Sequence, residues 1–133
     1  MISFIYIYFC GKTKLTISTE NGPTYFRVEK AITPEQQQTG LMHRRYLAPK
    51  TGMIFLFKPV RHARMWMKNT LIPLDMIFFD YNGKIVHIHY NAKPQDETII
   101  SPNHPVAGVL EVNAGEAKKY GIVPGNKLDL SKF

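Results

Sequence analysis

Tyr81-Asn82-Gly83-Lys84 is the strongest local instruction in this 133-residue chain. It lies between two apolar runs, Asp75–Asp80 and Lys84–Tyr90. Asn-Gly flanked in this way predicts a two-residue type I′ turn, whose two central residues must both take positive φ. Two antiparallel strands are therefore set, and the rest of the chain has to extend or cover the sheet they begin, because an isolated hairpin is marginal in water. Alternation puts Ile77 and Phe79 opposite Met76 and Phe78, and gives Ile85, His87 and His89 one face.

The remaining chain reads in the same idiom. Lys14–Ser18 and Tyr25–Lys30 form a second hairpin turned at Asn21-Gly22-Pro23. Thr33-Pro34-Glu35-Gln36 opens a short helix, with Thr33 as N-cap, Pro34 in the first helical position and Gln36 completing a capping box; Gly40 stops it. Gly52–Phe57 is a continuous apolar run, the pattern of a strand buried on both faces, and Lys58-Pro59 is expected to end it. Ala63–Lys68 alternates as a further strand, with Arg64, Trp66 and Lys68 on one face and Ala63, Met65 and Met67 on the other. Asn69–Leu74 is a loop fixed by Pro73, and Asn91–Pro105 is a long connection. Val106–Val112 is a strand. Asn113 then caps a second helix, Ala114–Tyr120, with Glu116 as its capping-box partner and Gly121 as its stop. Lys127–Leu130 is the last strand. This amounts to about nine strands, in a mainly β (α+β) fold, a single-domain β-sandwich or barrel-like structure with two short helices. No repeat or linker divides 13–133, which is expected to be one globular domain preceded by an apolar segment, 1–12.

The apolar fraction of 44% and charged fraction of 20% are those of a globular protein. The net charge of +7 permits attraction to nucleic acid, anionic lipid or acidic polymers. The basic residues are scattered, however, and no recognised nucleic-acid module accompanies them. A cytosolic nucleic-acid-binding domain is thus an alternative and not the leading expectation. One Cys excludes an intramolecular disulfide framework and a CxxC-type zinc site. The opening MISFIYIYFC is shorter than the roughly 20 residues of a transmembrane helix. It reads either as a first strand or as the remnant of an export signal, and its density of aromatic and β-branched residues tilts the balance to the remnant. The expected location is periplasmic or exported, with the cytoplasm as the alternative.

Several stretches occur together in a recognisable order: Gly40-Leu41-Met42-x-Arg44, Gly52-Met53-Ile54-Phe55-x-Phe57, Trp66-Met67-Lys68-Asn69-Thr70-x-Ile72-Pro73-Leu74-Asp75, Leu110-Glu111-Val112-x-Ala114-Gly115 and Gly121-Ile122-x-x-Gly125. On these the chain closely resembles the bacterial and archaeal domain-of-unknown-function family 192, from about Thr13 to Leu130. The resemblance implies a compact, mainly β, sandwich-like domain with two short helices, and relatives that often carry an N-terminal export signal. It implies no activity and supplies no catalytic residue.

The Trp66–Asp75 stretch is the first candidate site. Trp66, the only Trp, offers a flat stacking face. Lys68, Asn69, Thr70 and Asp75 offer donors and acceptors, and Arg44 a planar fork. Such a face suits carbohydrate or peptidoglycan fragments, or a protein of the cell envelope. The competing reading is that Asn69, Thr70 and Asp75 brace the loop backbone while Trp66 is core, and it weighs more, since buried polar groups mostly satisfy one another. Asp75 and Glu111 are the one credible carboxylate pair for a glycan-directed hydrolase, which needs them about 5–10 Å apart across one cleft. His87 and His89 would need further ligands, such as His104 and Glu111, to hold a metal, so a solvent-facing pair is expected. Met42, Met53, Met65, Met67 and Met76 are expected in the core and not on Cu(I). Neither Cys10 nor Ser101 beside His104 sits in a nucleophile motif, and no phosphate loop occurs. The sequence thus points to a binding or accessory domain without cofactor, metal or catalytic residue. Its ligand-face candidates are Arg44, Trp66, Lys68, Asn69, Thr70, Asp75 and Glu111.

Overall fold

A computed structural model describes residues 11–133, so the alternatives for 1–10 lie outside the described residues. The elements are β1 (Thr13–Thr19), β2 (Gly22–Ala31), α1 (Pro34–Thr39), β3 (Thr51–Arg61), β4 (Leu74–Phe79), β5 (Ile85–Ala92), β6 (Val106–Asn113), α2 (Glu116–Lys119) and β7 (Lys127–Leu128). The strands form one seven-stranded sheet in the order β5-β4-β6-β3-β2-β1-β7. Only β2 and β3, joined through α1, run parallel; the other neighbours are antiparallel. The sheet curls until its two edges touch. Lys84 bridges Lys127, Ile85 N–H donates to Asn126 O (2.8 Å), and Leu128 N–H donates to Gly83 O (2.8 Å). The mainly β, barrel-like expectation is thereby met, by a curled single sheet and two short helices. Among the described residues no helix is long and apolar enough to cross a membrane.

Curling divides the apolar residues by strand parity. Leu15, Ile17, Phe26, Val28, Ile54, Ile77, Phe79, Ile85, Ile88, Leu110, Val112 and Leu128, drawn from all seven strands, pack inside the curl. Met53, Phe55, Phe57, Leu74, Met76, Phe78 and Val109 face outward and are covered by Leu41, Leu47, Ala63 and Met67 from the connections. Because β3, β4 and β6 have apolar cover on both faces, their sequences read as unbroken hydrophobic runs.

Five local expectations change. The β4–β5 turn is a three-residue loop and not a type I′ turn. Gly83 takes φ 84° while Asn82 keeps a negative φ, and Gly83 N–H donates to Asp80 O (2.9 Å). The Asp80 carboxylate accepts from Asn82 N–H (2.9 Å) and Lys84 N–H (3.0 Å), which holds the longer loop. In β5 the register slips, Phe78 facing His87 and Phe79 facing Ile85. Ile85 therefore leaves the face of His87 and joins Ile88 inside. β3 runs past Lys58-Pro59 to Arg61, with irregular pairing after Leu56, a place where proline is tolerated. Ala63–Lys68 is not a strand: one isolated bridge, Met65 to Ile100, forms along it, and Met67 N–H donates to Asp96 O (2.8 Å) without extending a ladder. Its alternation survives as burial, with Ala63 and Met67 buried and Arg64 and Trp66 exposed. Finally, Asn113 does not cap α2: its amide donates to Leu47 O (2.7 Å), and Glu116 accepts from Lys50 N–H (2.8 Å). With 63–68 lost as a strand, the described sheet has seven of the roughly nine strands expected, the one offered for 1–10 lying outside the described residues.

Candidate functional site

The site is built on the outer face of the sheet. The capping box forms as the sequence dictates: Gln36 N–H donates to Thr33 Oγ1 and Thr33 N–H to Gln36 Oε1, both at 3.1 Å. This fixes α1, and Gln37 ties it to the sheet. Its Nε2 donates to Ala31 O (3.1 Å) and Leu56 O (2.9 Å), and its Oε1 accepts from Arg61 (3.0 Å). The Arg61 guanidinium in turn lies over the Phe57 ring at 4.2 Å. Between α1, the far half of β3 and the Trp66 segment opens a cleft of about 780 Å³. Phe55, Phe57, Leu41 and Met65 supply its apolar lining, and Lys58, Arg61, His62 and Arg64 supply charge and polarity. Trp66 stands at this cleft 37% exposed, with Lys68 Nζ 5.1 Å from its ring centroid.

Glu111 also lines the cleft, although it is only 4% exposed. It lies in register between Met53 of β3 and Met76 of β4, two apolar neighbours. No described residue hydrogen-bonds its carboxyl. Burial pushes the group from an ordinary 4.5 up to about 8, so at neutral pH it is a neutral acid. A neutral carboxyl donates one hydrogen bond as well as accepting.

Of the candidates, Trp66, Thr70 and Glu111 converge on the cleft. Thr70 itself and three of the remaining candidates, Arg44, Asn69 and Asp75, have local partners. Arg44 makes a two-pronged ion pair with Glu29, at 2.5 and 2.9 Å. Asn69 adopts φ 55° and its carbonyl accepts from His43 N–H (2.8 Å). Thr70 Oγ1 donates to Lys68 O (3.2 Å). Asp75 is 1% exposed and accepts from three backbone N–H groups: Oδ1 from Asn91 (2.9 Å), Oδ2 from Gly115 (3.0 Å) and Ala117 (3.1 Å). Asp75 thus supplies α2 with the cap that Asn113 does not. The hydrolase pairing of Asp75 with Glu111 fails on register. Asp75 faces Val112 and Met76 faces Glu111, so the two carboxyl groups leave the sheet on opposite sides.

The sequence reading missed Gln37, Lys58, Arg61, His62 and Arg64. A signal for the last four was present, since they fall within the seven residues Lys58–Arg64. It is obscured because nothing local separates these four from the basic residues scattered along the rest of the chain. His87 and His89 share a second, smaller cavity of about 270 Å³ with Met67, Lys93 and Asp96. Burial, then His89 and His104, lower the His87 pKa. Among the described residues no group of three or more His, Cys, Asp or Glu could hold a metal ion.

Fold and cleft together define a small, mainly β protein with a curled sheet and an open, basic-rimmed cleft on its outer face. The chain belongs to the uncharacterized ACR family, domain of unknown function 192, whose family model matches residues 15–130. It is similar to a Sinorhizobium meliloti 1021 protein provisionally described as a transcription regulator, with 46% identity, a TM-score of 0.86, and coverage of 89% of this chain and 92% of that one. It is likewise similar to a protein of unknown function from Novosphingobium aromaticivorans DSM 12444, with 42% identity, a TM-score of 0.86, and coverage of 89% and 84%. No curated protein matches the chain.

Proposed function

We propose that this protein is a binding or accessory domain whose ligand occupies the Trp66 cleft, and that the ligand is a fragment of cell-envelope glycan. One observation carries the reading: the solitary Trp stands half-exposed at a cleft that also presents a buried carboxyl to which no described residue hydrogen-bonds. A sugar ring stacks on the indole face, and the polar groups around the cleft fix its orientation. The ligand face is therefore drawn around Trp66, Thr70 and Glu111, and Arg44 and Asp75 leave it for structural work. With Asp75 removed from the carboxylate pair, the reading is of binding and not of glycan cleavage.

Because Trp66 is the only Trp, its emission reports the cleft directly. Titration with soluble peptidoglycan fragments is expected to shift or quench that emission with saturation. Trp66→Ala is expected to keep the β-sheet circular dichroism and to lose binding by calorimetry. Unfolding of that variant would return Trp66 to a purely structural role. We also place the domain outside the cytoplasm, on the apolar segment 1–10 and the export signals implied by the resemblance. Fusion of the full coding region to alkaline phosphatase tests this, and an inactive fusion would contradict it.

A second reading, single-stranded nucleic-acid binding, has one observation in its favour. Lys58, Arg61, His62 and Arg64 beside Trp66 combine charge with a stacking face. An oligothymidylate whose binding weakens steeply with salt would support it, and absence of binding at low salt would end it.

A further inference from the structure

We infer that the cleft selects an acidic sugar, its anionic substituent held by Lys58 and Arg64 at the rim and its amide or hydroxyl received by the Glu111 carboxyl. This rests on the glycan reading above and narrows it to a chemical class.

Three observations converge. First, among the described residues the charged and titratable groups lining the cleft, apart from Glu111, are Lys58, Arg61, His62 and Arg64, with no second carboxylate. Arg61 is already engaged, bonded to Gln37 and laid over Phe57, which leaves Lys58 and Arg64 as the cations for a ligand. Charge of one sign in a low-dielectric recess concentrates counter-charged ligands. Second, Glu111 is 4% exposed, lies between two Met residues, and receives no hydrogen bond from a described residue. A buried carboxyl left without a partner is costly unless something supplies one. Third, that partner has to be uncharged or a donor–acceptor group, because burial keeps Glu111 protonated to about pH 8. An amide or hydroxyl meets a neutral carboxyl with donor to acceptor in both directions. A ligand with an anion at one end, an amide at the other and a sugar ring against Trp66 satisfies all three.

The test follows Trp66 emission with three sugars that share the N-acetyl amide. N-acetylmuramic acid adds a carboxylate, N-acetylglucosamine 6-phosphate a phosphate, and N-acetylglucosamine neither. Both acids are expected to bind at least about tenfold tighter than the neutral sugar at low salt, and their order distinguishes carboxylate from phosphate. Lys58→Gln with Arg64→Gln is expected to bring the ratios toward one. Affinity of the native protein for the acids is expected to fall from pH 7 to 9, as Glu111 loses its proton and adds negative charge to the cleft. Glu111→Gln cannot ionise, so it is expected to abolish that pH dependence, which separates Glu111 from His62. Equal affinity for acidic and neutral sugars, or one pH profile shared by the native protein and Glu111→Gln, overturns the inference while leaving glycan binding intact. No response of Trp66 to any of the three overturns both.

Discussion

Two carboxylates one register step apart have opposite surroundings. Asp75 receives three backbone N–H groups, whereas Glu111 receives none from the described residues. Asp75→Ala strands the N–H groups of Asn91, Gly115 and Ala117 and is expected to cost on the order of 3–5 kcal/mol in urea unfolding. Glu111 makes stability depend on pH. Its folded pKa of about 8 lies above the ordinary 4.5, so between those values the folded protein holds a proton that the unfolded chain has released. Stability therefore declines as pH rises through that interval and is level on either side, with a total change on the order of a few kcal/mol. The urea midpoint of the native protein is expected to drop as pH rises from about 6.5 to 8.5, and that of Glu111→Gln is expected to lack this drop. A native midpoint that rises with pH would refute a neutral Glu111. Residue types alone could not separate these two roles. The donors that claim Asp75 on α2 lie 40 and 42 residues away in sequence.

At the scale of elements, whatever is decided locally was legible. Helix α1 begins where Thr33, Pro34 and Gln36 say it must, because all the bonds of its capping box lie within four residues. Thr33→Ala is expected to cost about 1 kcal/mol by urea denaturation. It is also expected to weaken sugar binding, since α1 is a wall of the cleft. The β1–β2 and β4–β5 hairpins were legible for the same reason, although the first turns at Glu20-Asn21 and not at Asn21-Gly22-Pro23, since Gly22 and Pro23 already pair with Thr19 and Ser18. Whatever is decided by distant partners was not. The slip in β5 depends on how Phe78 and Phe79 meet their neighbours, and α2 takes its cap from β4. The 63–68 segment carries a strand's alternation, yet only one bridge forms along it. Period-2 burial arises wherever an extended chain lies along a core, with or without a ladder beside it.

For the whole molecule, the family resemblance and the pattern of runs gave a mainly β, sandwich- or barrel-like fold, and the structure selects the curl. Nothing near Lys84 or Lys127 announces that they meet. The cleft was legible only in part, through Trp66, Thr70 and Glu111, because its basic rim comes from the end of β3 and its wall from α1. The closure can be probed at Gly83, which takes φ 84° and whose added Cβ would lie 2.2 Å from Leu128 O. Gly115 takes φ 93° with nothing within 4 Å of an added Cβ. Gly115→Ala is therefore expected to cost roughly 1–2 kcal/mol from backbone strain alone. Gly83→Ala is expected to cost at least about twice as much, since it also pushes β7 off the hairpin. Equal losses in urea unfolding would mean that the contact between the edges contributes little. A sheet fastened to itself along one short line has a built-in place to breathe. The N–H groups of Ile85, Gly125 and Leu128 bond across that line. In deuterated water their hydrogens are expected to be replaced ahead of those between β3 and β6, as a zip parts at its last teeth before its cloth tears.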